Sequence, residues 1–266
     1  MGVINLTPDS FYPSSRYQLD AAVEKAKQML AEGASIIDFG AESTRPGAKI
    51  VASEVQSARL VPVIASLRKD YDGDISIDTS DPKVMLACIA AGANMINDVR
   101  SLKQTGAIDI IASNNVKVCL THMLGEPETM QLAPEYPQGL IKTINDWCDS
   151  TYERCLKANI AAENIILDPG FGFGKSLMSN WELLNSLEVF TAKYQIAIGV
   201  SNKSMFKTIS NCHDVNQRRI PSCICEAFAT FKQVSIIRTH DIITSKQAIE
   251  TAHLIIGANQ CSAQMV

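Results

Sequence analysis

The sequence lacks the features that mark membrane, secreted or nucleic-acid-binding proteins. No apolar run approaches the length of a membrane span, and the first ten residues, MGVINLTPDS, lack the basic and apolar regions of a signal peptide. There is no long basic stretch, and the net charge of the 266 residues is −4. Nucleic acid and anionic membranes are therefore not expected as main partners, and without an export signal we predict a cytoplasmic protein.

Cysteines with zinc-binding spacing are also missing. The eight cysteines stand at 88, 119, 148, 155, 212, 223, 225 and 261, and no two of them form a CxxC pair. Several fall in apolar segments, where a free cysteine packs as a small core residue. Without an export signal, a reducing cytosol is favoured over a disulfide scaffold, and no structural metal is expected.

The composition is that of an ordinary globular protein with a large core. Hydrophobic residues make up 46% of the chain and charged residues 20%. Neither a low-complexity linker nor a shift in composition divides the sequence. We therefore interpret residues 1–266 as a single domain.

Short, β-branched apolar runs recur eight times, as buried parallel strands would. They are GVIN at 2–5, SIIDF at 35–39, DISID at 74–78, NMIND at 94–98, VKVCLTH at 116–122, NIILD at 164–168, QIAIGVS at 195–201 and VSIIRTH at 234–240. Helix-like stretches lie between them, among them 19–32, 81–91, 138–158 and 246–256. Eight strand–helix repeats in about 250 residues predict a (β/α)8 TIM barrel, with a doubly wound open sheet as the alternative.

Polar residues stand at or near the carboxyl end of every predicted strand: Asn5, Asp38, Asp78, Asn97, His122, Asp168, Ser201 and Arg238. In a barrel these ends surround one mouth, where active sites lie. An isolated aspartate there could simply cap the next helix. Eight polar side chains together predict a pocket for a heterocycle rich in N–H groups, because burying them without partners is costly.

Basic residues in three loops indicate where an anionic part of the ligand would bind. Arg45 follows the second predicted strand, Lys203 the seventh, and Arg238 and His240 lie at the eighth. A planar guanidinium suits phosphate or carboxylate, and barrels often bind phosphate in the last two of these loops. The alternative is that these cations are solvated residues of the rim.

The stretch LDPGFGFGKS at 167–176 is similar to a nucleotide-binding P-loop but fails its spacing. That motif needs a glycine five places before its second glycine, and Pro169 occupies this position before Gly174. Proline has no backbone N–H to offer a phosphate. The segment is therefore interpreted as a strand ending in Asp168 followed by a flexible turn, and Lys175 is not a Walker lysine.

Seven stretches together resemble the dihydropteroate synthase family: GVINLTPDSF, DFGAESTRPGA, SIDTSDP, INDVRSL, DPGFGFGKS, SNKS and IIRTHD. They occur in the family's order and cover almost the whole chain. The resemblance implies a TIM barrel and a transferase of folate biosynthesis. Its reaction would join 6-hydroxymethyl-7,8-dihydropterin pyrophosphate to p-aminobenzoate, giving 7,8-dihydropteroate and pyrophosphate. Sulfonamides compete with p-aminobenzoate in this family.

The resemblance also implies site residues at the mouth. The pterin would be bound by Asp78, Asn97, Asp168, Lys203 and Arg238. The pyrophosphate would be bound by Asn5, Thr44, Arg45, Arg238 and His240, and the p-aminobenzoate by Phe11, Thr44, Pro46, Phe173, Ser201 and Lys203. The catalytic set would be Asp9, Asp78, Lys203 and Arg238. Mg²⁺ would bridge phosphate oxygens and Asn5, and loops 5–16 and 41–50 would close over the site.

The C-terminal third departs from the family's pattern. The family usually has arginine where Asn202 stands, glycine where Lys207 and Pro221 stand, and a glycine within 232–234. The short hairpin that precedes the first strand in the family is also missing from this sequence, or has been omitted from it. These departures leave two alternatives, a pterin-binding paralogue without catalysis and a related pterin-dependent methyltransferase. The family resemblance further implies a homodimer through helices near the C-terminus.

Overall fold

Eight parallel strands form one sheet in chain order, from the first strand to the eighth. The computed structural model describes residues 1–6, 16–42, 51–125, 130 and 134–263, with the backbone alone at 16–18 and 259–263. The strands are β1 Gly2–Asn5, β2 Ile36–Gly40, β3 Asp74–Asp78, β4 Met95–Asp98, β5 Lys117–Thr121, β6 Ile165–Asp168, β7 Gln195–Ile198 and β8 Ile236–Ile237. All eight predicted strand positions are therefore confirmed.

The sheet closes on itself next to β8. Gly2 of β1 forms a parallel bridge with Thr239, just beyond β8. The N–H of Val3 donates to the Thr239 carbonyl at 3.1 Å, and the N–H of Thr239 donates to the Met1 carbonyl at 2.9 Å. This closure excludes the doubly wound open sheet and confirms the predicted TIM barrel.

Helices connect successive strands. The α-helices among the described residues are α1 Arg16–Ala31, α2 Ser53–Leu67, α3 Pro82–Ala90, α4 Ala107–Asn114, α5 Leu140–Lys157, α6 Leu177–Asn185, α7 Glu188–Thr191, α8 Arg219–Phe231 and α9 Ile242–Ala263. The four helical stretches predicted from sequence lie within or beside α1, α3, α5 and α9. Asp81 begins α3 as predicted, because its carboxylate accepts the N–H of Lys83 at 2.8 Å.

Alternation along the strands separates two cores. Ile37 and Phe39 of β2 are fully buried in the large apolar layer between sheet and helices. Asp38, between them, points to the other face, which is the inside of the barrel. A second, smaller apolar cluster of Met95, Cys119, Ile166 and Ala197 lies apart from the large layer. Polar strand-end residues such as Asp38 and Asn97 therefore point into the barrel interior, because successive side chains of a strand point to opposite faces of the sheet.

None of the described helices is long and apolar enough to cross a membrane. The most apolar surface positions lie instead on α8 and α9, where Ile220 and Leu254 are about three-quarters exposed, at 72% and 75%. An exposed apolar stretch on two neighbouring helices is a common place for contact with another protein surface.

Candidate active site at the barrel mouth

Five polar side chains meet inside the barrel, and we call them the interior cluster: Asp38, Asp78, Asn97, Asp168 and Arg238. Asp38 lies at its centre and is fully buried. It accepts hydrogen bonds from Ser76 Oγ at 2.7 Å, Asn97 Nδ2 at 3.1 Å and Arg238 Nη2 at 2.8 Å. The strand order brings these residues from β2, β3, β4 and the end of β8 to one point.

Charge in the interior cluster is concentrated on Arg238 and its three carboxylates. Arg238 Nη2 lies 2.8 Å from Asp38 Oδ2 and 3.6 Å from Asp78 Oδ2. Burial opposes the charge of this guanidinium, but Asp38, Asp78 and Asp168 together raise its pKa. Arg238 therefore remains a cation and holds the carboxylates around it.

Two of these carboxyl groups have raised pKa values. Burial, together with the charge of Asp38, raises the pKa of Asp78 to about 7, although Arg238 opposes the shift. Burial also raises the pKa of Asp168, against the charge of Arg238 and the N–H of Gly170, which donates to Asp168 Oδ1 at 2.7 Å. Such perturbed carboxyl groups are typical of functional sites.

Several buried polar atoms of the mouth have no hydrogen-bond partner within the described part of the chain. Asn97 Oδ1, Thr121 Oγ1 and Arg238 Nε are of this kind. A buried polar atom that lacks a partner is costly, and natural proteins rarely keep one without a use for it. Asn97 offers an acceptor and Arg238 a donor to a planar ligand that lies against this cluster.

Asn5 lies on the opposite side of Gly40 from the interior cluster. A Cβ atom at Gly40 would stand 3.5 Å from both Asn5 Oδ1 and the Cβ of Asp78, so the glycine keeps this space open. Within the described ranges no group of three or more His, Cys, Asp or Glu side chains could hold a metal ion. The amide oxygen of Asn5 suits a Mg²⁺ ion that takes its other ligands from water and substrate phosphate.

Two pairs of predicted site residues lie at the rim, in the loops after β6, β7 and β8. Lys203 Nζ stands 4.8 Å from the ring centroid of Phe173, a cation–π contact. His240 Nδ1 lies 3.2 Å from Ser201 Oγ. Ser201 and His240 also line a cavity of about 250 Å³ that continues between α8 and α9 towards Glu226 and Ser245. The structure thus brings these four residues to the same mouth.

Not every predicted site residue can be placed. Asp9 and Phe11, and likewise Thr44, Arg45 and Pro46, lie outside the described residues. Nearly all of both predicted closing loops falls there as well. The roles assigned to these five residues therefore stay predictions.

Sequence reasoning passed over one member of the interior cluster and one residue beside it. Asp38 was recognised as a strand-end residue but given no role in binding, although three side chains donate to it. Lys175 was only excluded as a Walker lysine, yet it is 2% exposed and bonded to His122. Alternation in IIDFG was a signal for Asp38, whereas no local pattern pointed to the burial of Lys175.

The departures from the family pattern have distinct structural settings. Asn202 has a positive φ of 61°, which asparagine tolerates better than most residues. Pro221 lies in the first turn of α8, as predicted, where a proline is accommodated. Lys207 is exposed in a 3₁₀ turn. Gln233 has a φ of 60° just after α8, a conformation that favours glycine.

Comparison with known proteins agrees with this geometry. Residues 1–240 match the family model described as pterin binding enzyme. The dihydropteroate synthase of Escherichia coli K12 is 38% identical over 262 residues, covering 98% of this chain and 92% of that protein. The chain belongs to the pterin-binding enzyme family. Within it, the curated relatives that it resembles over nearly their whole length are dihydropteroate synthases.

Solved structures give the same result. The Yersinia pestis dihydropteroate synthase in a sulfonamide drug complex superposes with a TM-score of 0.89 at 39% identity, covering 97% of this chain and 93% of that one. The Xanthomonas albilineans dihydropteroate synthase with 4-aminobenzoic acid gives a TM-score of 0.87 at 33% identity, with 96% and 92% covered. Together these similarities confirm the predicted family and fold.

Proposed function

We propose that the chain is a dihydropteroate synthase. It transfers the pterin-methyl group of 6-hydroxymethyl-7,8-dihydropterin pyrophosphate to the amine of p-aminobenzoate, releasing pyrophosphate in folate biosynthesis. The observation that carries the proposal is the interior cluster, in which Asp78 and Asp168 surround Arg238 beside an Asn97 oxygen that has no partner in the described part of the chain. Near-full-length relatives with this activity support the same conclusion.

The pterin is bound by the interior cluster. An aminopyrimidine presents adjacent N–H groups, which the carboxylates of Asp78 and Asp168 accept. Asn97 Oδ1 and Arg238 Nε, which have no hydrogen-bond partner among the described residues, supply one more acceptor and one more donor. Asp38 holds Arg238 Nη2 at 2.8 Å and Asn97 Nδ2 at 3.1 Å, so it fixes the positions of both. Lys203 and Arg238 face the ring of the pterin.

The pyrophosphate is bound by Asn5, Arg238 and His240, with Thr44 and Arg45 completing the set. Mg²⁺, when bound by Asn5 and substrate phosphate oxygens, neutralises negative charge on the leaving group. The p-aminobenzoate lies against Phe173, Ser201 and Lys203, with Phe11, Thr44 and Pro46. The cation–π contact of Lys203 with Phe173 supports this placement, because it gives the aryl ring a flat wall.

The reaction needs no nucleophile from the protein. Pyrophosphate leaves first, and its negative charge is stabilised by Arg238 and the other basic residues of the mouth. The cationic pterin that remains is stabilised by Asp78. Asp9, which belongs to the predicted closing loop 5–16, helps to shield the cation. The neutral aniline nitrogen then attacks the exocyclic carbon, and the ammonium that forms loses a proton to water or to the released pyrophosphate. Catalysis consists mostly of positioning and of charges already in place before the reaction.

We also propose a single domain over residues 1–266, a cytoplasmic location and a homodimer formed through α8 and α9. Exposed apolar residues of these helices support the dimer, since Ile220 and Ile224 are 72% and 64% exposed on one face of α8 and Leu254 is 75% exposed on α9. Light scattering at micromolar concentration tests it, and a monomer would contradict it.

Pyrophosphate release from the pterin pyrophosphate, measured with and without p-aminobenzoate, tests the activity. We expect release that requires p-aminobenzoate and is lost in Arg238→Ala. The control is Lys157→Ala, because the Lys157 side chain is exposed on α5 and forms an ion pair with the exposed Glu153 at 3.4 Å. Pterin binding without release would instead support the alternative of a non-catalytic paralogue.

A further inference from the structure

Lys175 is almost completely buried, with only 2% of its surface exposed. Its Nζ donates to the carbonyl of Gly170 at 2.8 Å and to the carbonyl of Phe173 at 3.1 Å. It also lies 3.0 Å from His122 Nδ1. An ammonium has three N–H groups, and these three contacts use all of them.

This arrangement is unusual because, among the residues that the structure describes, no carboxylate pairs directly with the buried lysine. Burial lowers the pKa of Lys175 to about 7, although the charge of Asp168 opposes the shift. Burial and the Lys175 charge together lower the pKa of His122 to about 3, so His122 is neutral and its Nδ1 accepts. A methionine of similar length would avoid the desolvation of an ammonium, so the charge needs another explanation.

The loop that Lys175 holds runs from the end of β6 across the barrel mouth. Gly170 has a φ of +76°, and a Cβ there would lie 2.0 Å from the His122 carbonyl oxygen. Gly174 has a φ of +65°, and a Cβ there would lie 2.6 Å from the Leu124 Cβ. The backbone of this loop therefore packs closely against the segment after β5. The buried Lys175 side chain stabilises the loop by donating to two of its carbonyl groups.

Both peptides that Lys175 holds are attached to residues of the candidate site. The N–H of Gly170 donates to Asp168 Oδ1 at 2.7 Å, while the Gly170 carbonyl accepts from Lys175. Phe173, whose carbonyl also accepts from Lys175, places its ring under the ammonium of Lys203. Lys175 thus bonds directly to the backbone of Phe173 and, through Gly170, is connected to Asp168. Both Phe173 and Asp168 face the proposed substrate.

We propose that Lys175 is a positioning residue for pterin binding, which fixes the 168–175 loop and holds the Asp168 carboxylate ionised and aimed at the pterin. This inference rests on the proposed function, because Asp168 is the residue through which Lys175 acts. The proposal gives a role to Lys175 in the stretch 167–176, whose glycine spacing excludes a P-loop.

The charges around Asp168 and Lys175 define the expected pH dependence. Asp168 is faced by Arg238, Lys203 and Lys175, each of which lowers its pKa, while burial raises it. Lys175 is faced by the Asp168 carboxylate and by Lys203 as a second cation, while the neighbouring Cys148 thiol is neutral because burial raises its pKa. Without the Lys175 charge the pKa of Asp168 rises further. As the pH is lowered, Asp168 is then protonated earlier, and pterin affinity starts to fall at a higher pH than in the wild type.

The test measures the affinity for 6-hydroxymethylpterin by calorimetry from about pH 5 to pH 9, a range wide enough to include the shifted carboxyl groups. The variants are Lys175→Met, Lys175→Arg and the exposed control Lys157→Met. For Lys175→Met we expect affinity about 10-fold or more lower below pH 7, where Lys175 is charged, and an acidic limb moved up by ~0.5–1 pH unit. Lys175→Arg retains the charge and should keep the wild-type midpoint, even with weaker affinity.

A displaced midpoint separates positioning of a charged carboxylate from a purely structural role. Asp78 titrates on the same limb, so the comparison is the displacement from wild type rather than the midpoint itself. A folded Lys175→Met with wild-type affinity and an unmoved midpoint would overturn the inference. Wild-type protein that fails to bind the pterin would instead overturn the proposed function.

A second measurement decides the question where Lys175→Met fails to fold. Lysine-selective NMR of the wild-type protein, with Lys175 assigned as the signal missing from Lys175→Arg, reports its ammonium directly. We expect this signal to shift on saturation with 6-hydroxymethylpterin. A bound pterin that leaves the signal unmoved would refute the role of Lys175.

Discussion

Two buried carboxyl groups in this chain have opposite surroundings. Asp38, inside the barrel, accepts from Ser76, Asn97 and Arg238 at 2.7–3.1 Å. Glu226, on α8, is 1% exposed, and neither of its oxygens has a partner in hydrogen-bonding geometry within the described residues. Burial raises the pKa of Glu226 to about 7, and the hydroxyls of Ser245 and Thr239 only partly offset it.

The difference indicates where this protein uses buried charge. In the interior cluster Arg238 lowers the pKa of Asp78 and of Asp168 against the effect of burial, so the carboxyl groups at the proposed substrate site have a cation beside them. On α8 the N-terminal amine of Met1 acts on Glu226 only weakly, so burial still raises the pKa of this carboxyl group to about 7. In the interior cluster, Arg238 thus partly offsets the desolvation of the carboxylates that bind the proposed substrate. On α8, the ionisation of Glu226 lowers the stability of the fold.

Removing the cation from the interior cluster should give the largest effect. For Arg238→Met we expect the free energy of unfolding to fall by about 3–5 kcal/mol above pH 7, because Asp38 and its neighbours lose their counter-ion. The loss should shrink towards about pH 5, where raised carboxyl pKa values allow protonation in the folded state. Urea unfolding at both pH values checks this, and an equal loss at both would contradict it.

Asp78 should set the pH dependence of pterin binding. Its pKa is raised to about 7, so the carboxylate that accepts pterin N–H groups is lost as the pH falls through that value. We expect Asp78→Asn to lower pterin affinity by about 10- to 100-fold at pH 8, since a charged hydrogen bond is lost. The variant should also show a flatter pH profile in calorimetry. A profile as steep as that of wild type would assign the titration to another group.

Glu226 should respond in the opposite direction to Arg238. A folded-state pKa raised to about 7 means that its ionisation costs stability as the pH rises from the unfolded value through 7. Glu226→Gln should therefore raise the free energy of unfolding by about 1–3 kcal/mol near pH 8 and by little near pH 5.

Thermal unfolding at both pH values measures the effect of Glu226→Gln. The matched control is Glu182→Gln, because Glu182 is exposed on α6 and should change stability little at either pH. A gain that is the same at pH 5 and pH 8 would show that the carboxyl charge is not the cause.

The fold and most of the interior cluster were predictable from the sequence. Short β-branched runs repeat eight times with a polar residue at or near the end of each, which favoured a barrel but left the doubly wound open sheet as an alternative. Asp78, Asn97, Asp168 and Arg238 were predicted together and lie together. The motif resemblance supplied the ligand, which periodicity cannot specify.

The remainder depends on contacts between residues distant in sequence. Asp38 and Arg238 are 200 residues apart, and nothing local states that they pair. Lys175 is followed by a serine and preceded by glycines, which is the pattern of an exposed turn, yet barrel packing buries it on His122. Glu226 sits in an amphipathic helix whose partner surface includes Ser245 of α9. Tertiary packing decides each of these cases, not propensity.

The smallest expected effect concerns the end of α8, the helix that carries Glu226. There the relevant property is backbone strain rather than buried charge. Gln233 donates to the Thr230 carbonyl at 3.0 Å and Val234 to the Ala229 carbonyl at 3.2 Å, which is a Schellman ending. Gln233 stands at the left-handed position with φ 60°. The end of α1 has the same pair of bonds, but there Gly33 takes the left-handed position.

Gln233→Gly should therefore raise the free energy of unfolding by about 1 kcal/mol, because a residue with a Cβ is strained in this conformation. The control is Gln233→Ala, which keeps the Cβ and should give no comparable gain. Urea unfolding of the three proteins at one pH is sufficient, since no charge changes. An equal gain in both variants would attribute the effect to the glutamine side chain, and the family's glycine in this segment would need another explanation than backbone strain.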